Sequence, residues 1–417
     1  MVYKKRIIEQ EITNKLAASG AVLVKGPKSC GKTETCLQFA KSVLRLDQNE
    51  QIEAFMATDP KRLLQGDTPR LIDEWQEQKK IWNYVRHEVD ERKAKGQFLL
   101  TGSANPNDDV RLHSGAGRFT TVAMNTMSWQ EMGYSTGQVS LSDLLSGKVA
   151  SVYDEALTLD IIAERMIKGG WPALIDESVE NSLLLNTSYI DLLCEVDVSR
   201  VSGVKREPHK IRSLLRSLSR NVATLVADTT LEKDLKLNEN QNIARSTIID
   251  YLDALERLMI LYEQPAFNPY IRSSASLRKS SKRHLCDVSL AIAVLELNKD
   301  ALLENLLLTG FLFESLVTHD LNIYAQANNA KVYHYQDSYG LEVDTIVQKY
   351  GGNYAAFEIK LGVGFIDEAA ENLAKFVKNI DTNKMQLPQS LNIITGTGMS
   401  YRRPDGINVI SLASLGK

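Results

Sequence analysis

The feature that most narrows what this chain can fold into is Gly26-Pro27-Lys28-Ser29-Cys30-Gly31-Lys32-Thr33, set between the apolar run Ala21 to Lys25 and a helical pattern opening at Lys32. The spacing G-x-x-x-x-G-K-[ST] between a strand and a helix turns backbone N–H groups inward, toward the oxygens of a phosphate chain. The helix N-terminus adds its positive end, Lys32 reaches the terminal phosphates, and Thr33 offers a hydroxyl to a magnesium ion. The bland alternative is a Gly-rich turn with a chance Lys-Thr, but that turn has no need of a strand before it and a helix after it.

Around the loop the pattern alternates. Glu9 to Ser19 reads as a helix, Ala21 to Lys25 as a strand, Lys32 to Leu46 as a helix and Ile52 to Met56 as a strand. Pro69 to Ile72 is then a strand, Gln76 to Lys95 a helix with Trp82, Val85 and Val89 on one face, and Phe98 to Thr101 a strand. Such alternation predicts an α/β fold with a mostly parallel sheet and ligand sites at the carboxyl ends of its strands. Arg70-Leu71-Ile72-Asp73-Glu74 is an apolar strand ending in two carboxylates. Asp73 would hold the magnesium, and Glu74 would orient and deprotonate an attacking water. Transfer to a small acceptor needs no acid to activate water, so the pair favours hydrolysis. An acidic turn capping the next helix is the competing reading.

Thr101 and Ser103 end a further strand where a hydroxyl can contact the γ-phosphate, an ordinary Gly-Ser turn being the alternative. Arg118 follows Gly117 at a position from which an arginine can stabilise charge in cis or on a neighbouring subunit, with a surface salt bridge as its rival.

The loop, Leu71-Ile72-Asp73-Glu74-Trp75, Leu100-Thr101-Gly102-Ser103 and Gly117-Arg118 together resemble a prokaryotic family of AAA+ ATPases, in which an ATPase core precedes an uncharacterised carboxyl-terminal region. The resemblance covers nearly the whole chain. It implies ATP and Mg2+ at Lys32, Thr33, Asp73 and Glu74, a winged-helix-like segment in the middle, and a restriction-endonuclease-like fold at the end.

The remaining pattern divides accordingly: an ATPase core over 1–135, a helical lid over 136–204 around Gly169-Gly170-Trp171-Pro172, a winged-helix-like segment over 205–290 and an α/β unit over 291–417. In the third part Ser246-Thr247 would cap a helix whose apolar face is Ile249, Leu252, Leu255 and Leu258. In the last, alternation places Glu342 and Asp344 on one face of Leu341 to Gln348, and Glu358 with Lys360 on one face of Tyr354 to Lys360. Glu314 lies upstream on the helix Phe311 to Leu321. Glu314, Asp344, Glu358-Ile359-Lys360 is the D…(D/E)-x-K pattern of restriction-endonuclease-like nucleases. Asp344 and Glu358 would hold metal against a scissile phosphate, Lys360 would steady the water, and Glu314 would complete the metal shell. A salt-bridged hairpin gives the same residues a structural purpose.

Lys plus Arg number 49 against 52 Asp plus Glu, so the overall field does not draw the chain onto nucleic acid. Contact with DNA needs a local patch, and Arg272, Arg278, Lys279, Lys282 and Arg283 form one without an intervening acid. A solvated loop is the alternative. Four cysteines without ligand spacing, and a charged opening MVYKKRIIEQEITNKL, lead us to expect a reducing, cytoplasmic setting. Two functional expectations follow: an ATPase coupled to DNA chemistry in a nuclease-like domain, or an ATP-driven switch that binds DNA or a protein partner without cutting. A small-molecule kinase ranks below both, because no arginine-rich phosphate lid is present.

Overall fold

In the computed structural model the described residues are 2–47, 51–103, 115–148, 157–268, 280–337, 339–383 and 385–417. The amino-terminal strands β1 (Ala21–Lys25), β2 (Ser42–Arg45), β3 (Arg70–Asp73), β4 (Phe98–Gly102) and β5 (Phe119–Ala123) form one sheet in the order β2-β3-β4-β1-β5. Every pairing is parallel. A parallel sheet is covered on both faces, so its strands are apolar throughout. In β1, Val22 and Val24 pack with Ile12, Cys36, Leu71 and Leu99, while Ala21 and Leu23 pack with Ile72, Trp75, Val85 and Phe98. Because β4 lies between β1 and β3, the tip of β4 separates the phosphate-binding loop from the acidic end of β3.

Two expected elements differ. The helix that opens at Lys32 stops at Leu37, and Ser42–Arg45 is strand β2. Pairing with β3, Ser42 against Arg70 through Arg45 against Asp73, overrides the local helical pattern. Ile52 to Met56 is not a strand but part of the helix Ile52–Thr58: buried Ile52 and half-buried Phe55 and Met56 fall at i, i+3 and i+4.

The middle of the chain is helical, with Leu159–Lys168, Val179–Leu192, Pro208–Arg220, Asp228–Asn238 and Arg245–Arg257, and a π-helical turn at Leu193–Asp197. A short strand, β6 (Val139–Ser140), precedes them, and the antiparallel ribbon of β7 (Leu261–Gln264) and β8 (Lys282–Leu285) follows. The Arg245 helix is entered through Ala244 without a side-chain cap, so Ser246 and Thr247 lie inside it. Its buried face is Ile248, Tyr251, Leu252 and Leu255, and Ile249 is exposed. Of the expected face, Leu252, Leu255 and Leu258 are buried and only Ile249 is not.

The carboxyl-terminal sheet has the order β13-β14-β12-β11-β10-β9, built from β9 (Ala330–Gln336), β10 (Glu342–Lys349), β11 (Tyr354–Lys360), β12 (Ser390–Thr395), β13 (Tyr401–Arg402) and β14 (Asn408–Ser411). Strands β9, β10 and β11 form an antiparallel meander, and β12 joins β11 in parallel. Ala355, Phe357 and Ile359 face the long helix Leu306–Ala327, and Tyr354 and Ala356 face the helix Ile366–Lys378. The last strand, β15 (Leu415–Gly416), returns to pair with β6. One apolar core runs from Met127 through the middle helices to Leu415.

Gly170 sits at the join of these parts. Its N–H donates to Asp287, its carbonyl accepts from Met127 N, and a Cβ placed on it would meet Met127 O at 2.2 Å. The substitution Gly170→Ala is expected to cost about 1–3 kcal/mol by overpacking, measured as a lowered midpoint in urea.

Candidate functional site

The phosphate-binding loop leaves β1 at Lys25 and bends through two left-handed residues, Ser29 at φ 62° and Gly31 at φ 97°. Gly26 has no room for a side chain, since a Cβ there would lie 2.1 Å from Met124 O. Lys32 is buried and folds back, its Nζ donating to Gly26 O at 3.0 Å and Pro27 O at 2.8 Å. Thr33 Oγ1 donates to Asp73 Oδ1 at 2.8 Å. The Thr101 hydroxyl donates to the same carboxylate oxygen and accepts from Glu74 N at 3.2 Å. Loop, β3 and β4 therefore meet at one carboxylate.

Glu74 stands just past β3 in a left-handed conformation, φ 53°. Gln76 donates to its carboxylate and also reaches Ser103 Oγ at 3.3 Å. Burial pushes the Glu74 carboxyl above the usual range, and nearby Lys32 opposes that only in part. A cleft of about 690 Å³ opens here, lined by Lys28, Lys32, Thr33, Glu74, Ser103 and Arg200 and closed on one side by Pro172 and Ala173. The residues fit a magnesium-bound phosphate chain: the N-terminus of the helix at Lys32 and two lysines supply positive charge, and Thr33 with Asp73 supplies hard oxygen donors already within hydrogen-bond distance of each other. A neighbouring cleft of about 440 Å³, lined by Tyr3, Arg6, Thr35, Met127, Pro172 and Ile175, shares Gly31, Glu34 and Pro172 with the first.

Several of these residues were not singled out by motif. Lys28 pairs with Asp197 at 2.5 Å, and Arg200 pairs with Glu77 at 2.5 Å. Asp197 and Arg200 come from the π-helical turn and the short helix that follows it. Trp171 packs on Tyr189 at 5.0 Å and donates to Ser289 Oγ at 3.0 Å, which holds the turn carrying Pro172 against the clefts. No local pattern marks Asp197 or Arg200; they reach the site through long-range packing. The Gly-Gly-Trp-Pro run was visible, and only the fold gives it a place.

Arg118 requires a correction. It precedes β5, whose register sets Phe119 beside Ala21 and Ala123 beside Lys25. The loop follows Lys25, so Arg118 is at the other end of the sheet, about 16 Å away along a five-residue strand. It pairs with Asp90 at 2.8 Å on an exposed surface. It does not serve the phosphates of its own chain.

The carboxyl-terminal residues do converge, in a different arrangement from the one expected. Lys360 Nζ lies 3.2 Å from Asp344 and 2.8 Å from Glu358. Asp344 also accepts the Ile359 N–H at 2.8 Å, just where the pairing of β10 with β11 ends at Thr345 and Phe357. Asn372 donates to Glu358 at 2.7 Å. Glu314 is bound at 2.7 Å by Lys282, which also holds Glu342 at 2.6 Å. Burial pushes the Glu314 and Glu358 carboxyls up, whereas Lys360 and Lys282 outweigh burial at Asp344 and hold it down. Among the described residues, no three His, Cys, Asp or Glu side chains are arranged to hold a metal ion. Glu314, Asp344 and Glu358 thus form no metal shell as they stand, because lysines are interposed.

The basic patch is corrected with it. Lys282 is 1% exposed and faces carboxylates. Arg283 is tied to Asp228 at 2.8 Å and Glu263 at 3.2 Å. Neither is a free phosphate contact, and Arg272, Arg278 and Lys279 lie outside the described residues. All four cysteines are buried and unpaired, and among the described residues no helix is long and apolar enough to cross a membrane.

Residues 18–133 match the family described as AAA domain, residues 159–301 match a domain of unknown function, DUF8612, and residues 309–415 match a second, DUF4143. The chain therefore carries an amino-terminal AAA P-loop domain followed by two domains of unknown function. Among solved structures it is similar to the Walker-type ATPase PABY2304 of Pyrococcus abyssi, with 12% identity and a TM-score of 0.45 over 70% of this chain and 96% of that one. It is also similar to a chain in the structure of Drosophila ORC bound to DNA, with 12% identity and a TM-score of 0.21 over 73% and 93%. No curated protein matches the chain.

Replacing Thr101 by Val keeps the shape but removes a donor to a buried carboxylate and the acceptor for Glu74 N. A loss of about 1.5–3 kcal/mol is expected, read as a lowered urea midpoint, with Thr101→Ser retaining most of the stability.

Proposed function

We propose that this chain is an ATP-driven switch: an ATPase that takes magnesium-ATP between its amino-terminal sheet and middle helices, and whose hydrolysis changes how those helices are held. The observation that carries this reading is that the charged residues of the cleft are already paired across that boundary, Lys28 with Asp197 and Arg200 with Glu77. A triphosphate brings several negative charges into that space. Lys28 and Arg200 would then trade carboxylate partners for phosphate oxygens, and two ties to the middle helices would loosen.

Each residue has a task in this scheme. The N–H groups of Gly26 to Thr33 and the Lys32 ammonium, released from the Gly26 and Pro27 carbonyls, take up phosphate oxygens. Thr33 and Asp73 would hold magnesium, which supplies charge neutralisation and a fixed phosphate geometry when bound. Thr101 orients Asp73. Glu74 accepts the proton of the attacking water, and Gln76 with Ser103 aims it. The second cleft, walled by Tyr3, Thr35, Pro172 and Ile175, seats the base. Arg200 is the cis cation of the site, and Arg118 is left to act, if at all, on a neighbouring copy.

A nuclease reading of the carboxyl-terminal domain is supported by the meeting of Asp344, Glu358 and Lys360 at one end of β10 and β11. It calls for metal-dependent DNA cleavage that disappears in Asp344→Ala. The ion-paired state of the cluster favours the switch without cutting. A winged-helix-like reading of 205–290, with partner or DNA binding as its role, has in its support the helices Pro208–Arg220, Asp228–Asn238 and Arg245–Arg257 followed by the β7–β8 ribbon.

Lys32→Ala is expected to abolish nucleotide binding in calorimetry, whereas Glu74→Gln should keep it and slow hydrolysis by roughly 100-fold or more. Since Glu74 works ionised and burial raises its carboxyl, turnover should fall as pH drops through that raised value. The acid limb of the rate profile should therefore lie above that of an ordinary glutamate, and Glu74→Gln should lack the limb. Persistence of the same limb in the variant would assign it to another group.

A further inference from the structure

We propose that this chain pairs with a second copy of itself through the exposed side of the helical run 179–202, two such runs packing antiparallel with Ser188 at the two-fold axis. The pairing needs no nucleotide and stands independently of the ATP reading.

The first ground is a helix that is apolar on its outer side. The helix Val179–Leu192, the π-helical turn Leu193–Asp197 and the helix Val198–Ser202 follow one another without a break. Toward the core this run buries Ser182 and Asn186 beside Ile190 and Leu193, and Asn186 donates to Ile167 O at 2.9 Å. Away from the core, Leu184 is 66%, Leu192 59%, Val196 49% and Leu185 48% exposed. A helix that is apolar on every side belongs in a covered position, and large apolar side chains grouped on one surface mark an interaction site.

The second ground is that these residues form one seam. Leu184, Ser188 and Leu192 stand four apart, and rows of that spacing wind slowly around an α-helix. The π turn takes up an extra residue, and beyond it Val196 and Arg200 are again on the exposed side. Ser188 lies midway between the two leucines. An antiparallel copy centred on it sets Leu184 against Leu192 twice, with only a small side chain at the closest approach of the two runs. The Ser188 hydroxyl already donates to Leu184 O at 3.0 Å, so covering it leaves no donor unpaired.

The third ground is charge, and it decides the occupant. Where the run begins the exposed charges are acidic, Asp176 and Glu180; where it ends they are basic, Arg200 and Lys205. Antiparallel pairing of two identical runs lays acidic start on basic end twice, whereas parallel pairing would set like charges side by side. With Ser188 on the axis, Asp176 of one copy falls opposite Arg200 of the other, and exposed Glu195 falls opposite uncharged Asn181. Asp191 is tied to Arg212 of its own chain. Arg200 is 60% exposed and holds Glu77 through Nη2 alone, which leaves further guanidinium donors for a carboxylate. A face that complements itself when reversed is what a two-fold dimer requires.

The test is sedimentation velocity of the full chain without nucleotide, from about 1 to 100 μM, where a dimer is expected to form. Leu184→Glu and Leu192→Glu should each weaken it roughly 30-fold or more, and Glu232→Lys, on the exposed side of another helix, should not. Both leucines are exposed, and circular dichroism checks that the variants fold. Asp176→Arg should weaken the dimer, and Arg200→Asp in the same chain should restore it. Because the four native cysteines are buried, Ser188→Cys should give a disulfide-linked dimer on mild oxidation, while Glu232→Cys stays unlinked. An unaltered chain that is monomeric at the highest concentration overturns the proposal, whatever else the seam captures. So does a dimer indifferent to both leucine substitutions, or one that Ser188→Cys fails to link.

Discussion

The amino-terminal half of this molecule is organised by one buried carboxylate oxygen. Asp73 Oδ1 accepts from Thr33 on the loop side and from Thr101 on β4. A buried charge is tolerated only when it is hydrogen-bonded or paired, so the ends of β3 and β4 and the start of the helix at Lys32 must keep a common alignment. That alignment depends on β4 lying between β1 and β3. A hydroxyl at residue 101 then falls between loop and acid, and the Glu74 backbone N–H is anchored on the same hydroxyl. The position of Glu74 is thus a consequence of strand order.

Legibility of the site in the sequence followed locality. The phosphate-binding loop could be read because its chemistry is encoded by backbone geometry within eight residues, and Asp73-Glu74 because an apolar strand must end somewhere in particular. Thr101 was visible as a polar end to a third strand. Arg118 was misplaced because spacing along the chain does not say which end of a parallel sheet a residue occupies; only the register of β5 with β1 does. Strand β2 was hidden inside a helical pattern, since an edge strand of four residues is selected by its partner rather than by its own propensity. Asp197 and Arg200 carry no local signal at all. Lys282 looked like part of a solvated basic run, and its burial is decided by acids 32 and 60 residues further on.

The two charged regions differ in the way that suits different tasks. At the nucleotide cleft, Lys28 is 43% and Arg200 60% exposed. Exposed pairs contribute only about 0–1 kcal/mol each, so a polyanion of modest affinity outcompetes them. They hold the middle helices weakly and release them at little cost. The Gly169–Ala173 turn makes the link stiffer: Gly170 is bound to both Met127 and Asp287, and Pro172 borders both clefts. In the proposed switch, occupancy of the clefts would thereby be felt where the shared core begins.

At the carboxyl-terminal cluster the pairs are buried, and the balance reverses. Removing one partner of a buried ion pair costs about 3–5 kcal/mol because a charge is left uncompensated, several times what the cleft pairs contribute. Loss of the weak ties at the cleft alone therefore does not extract Lys282, which stays between Glu314 and Glu342.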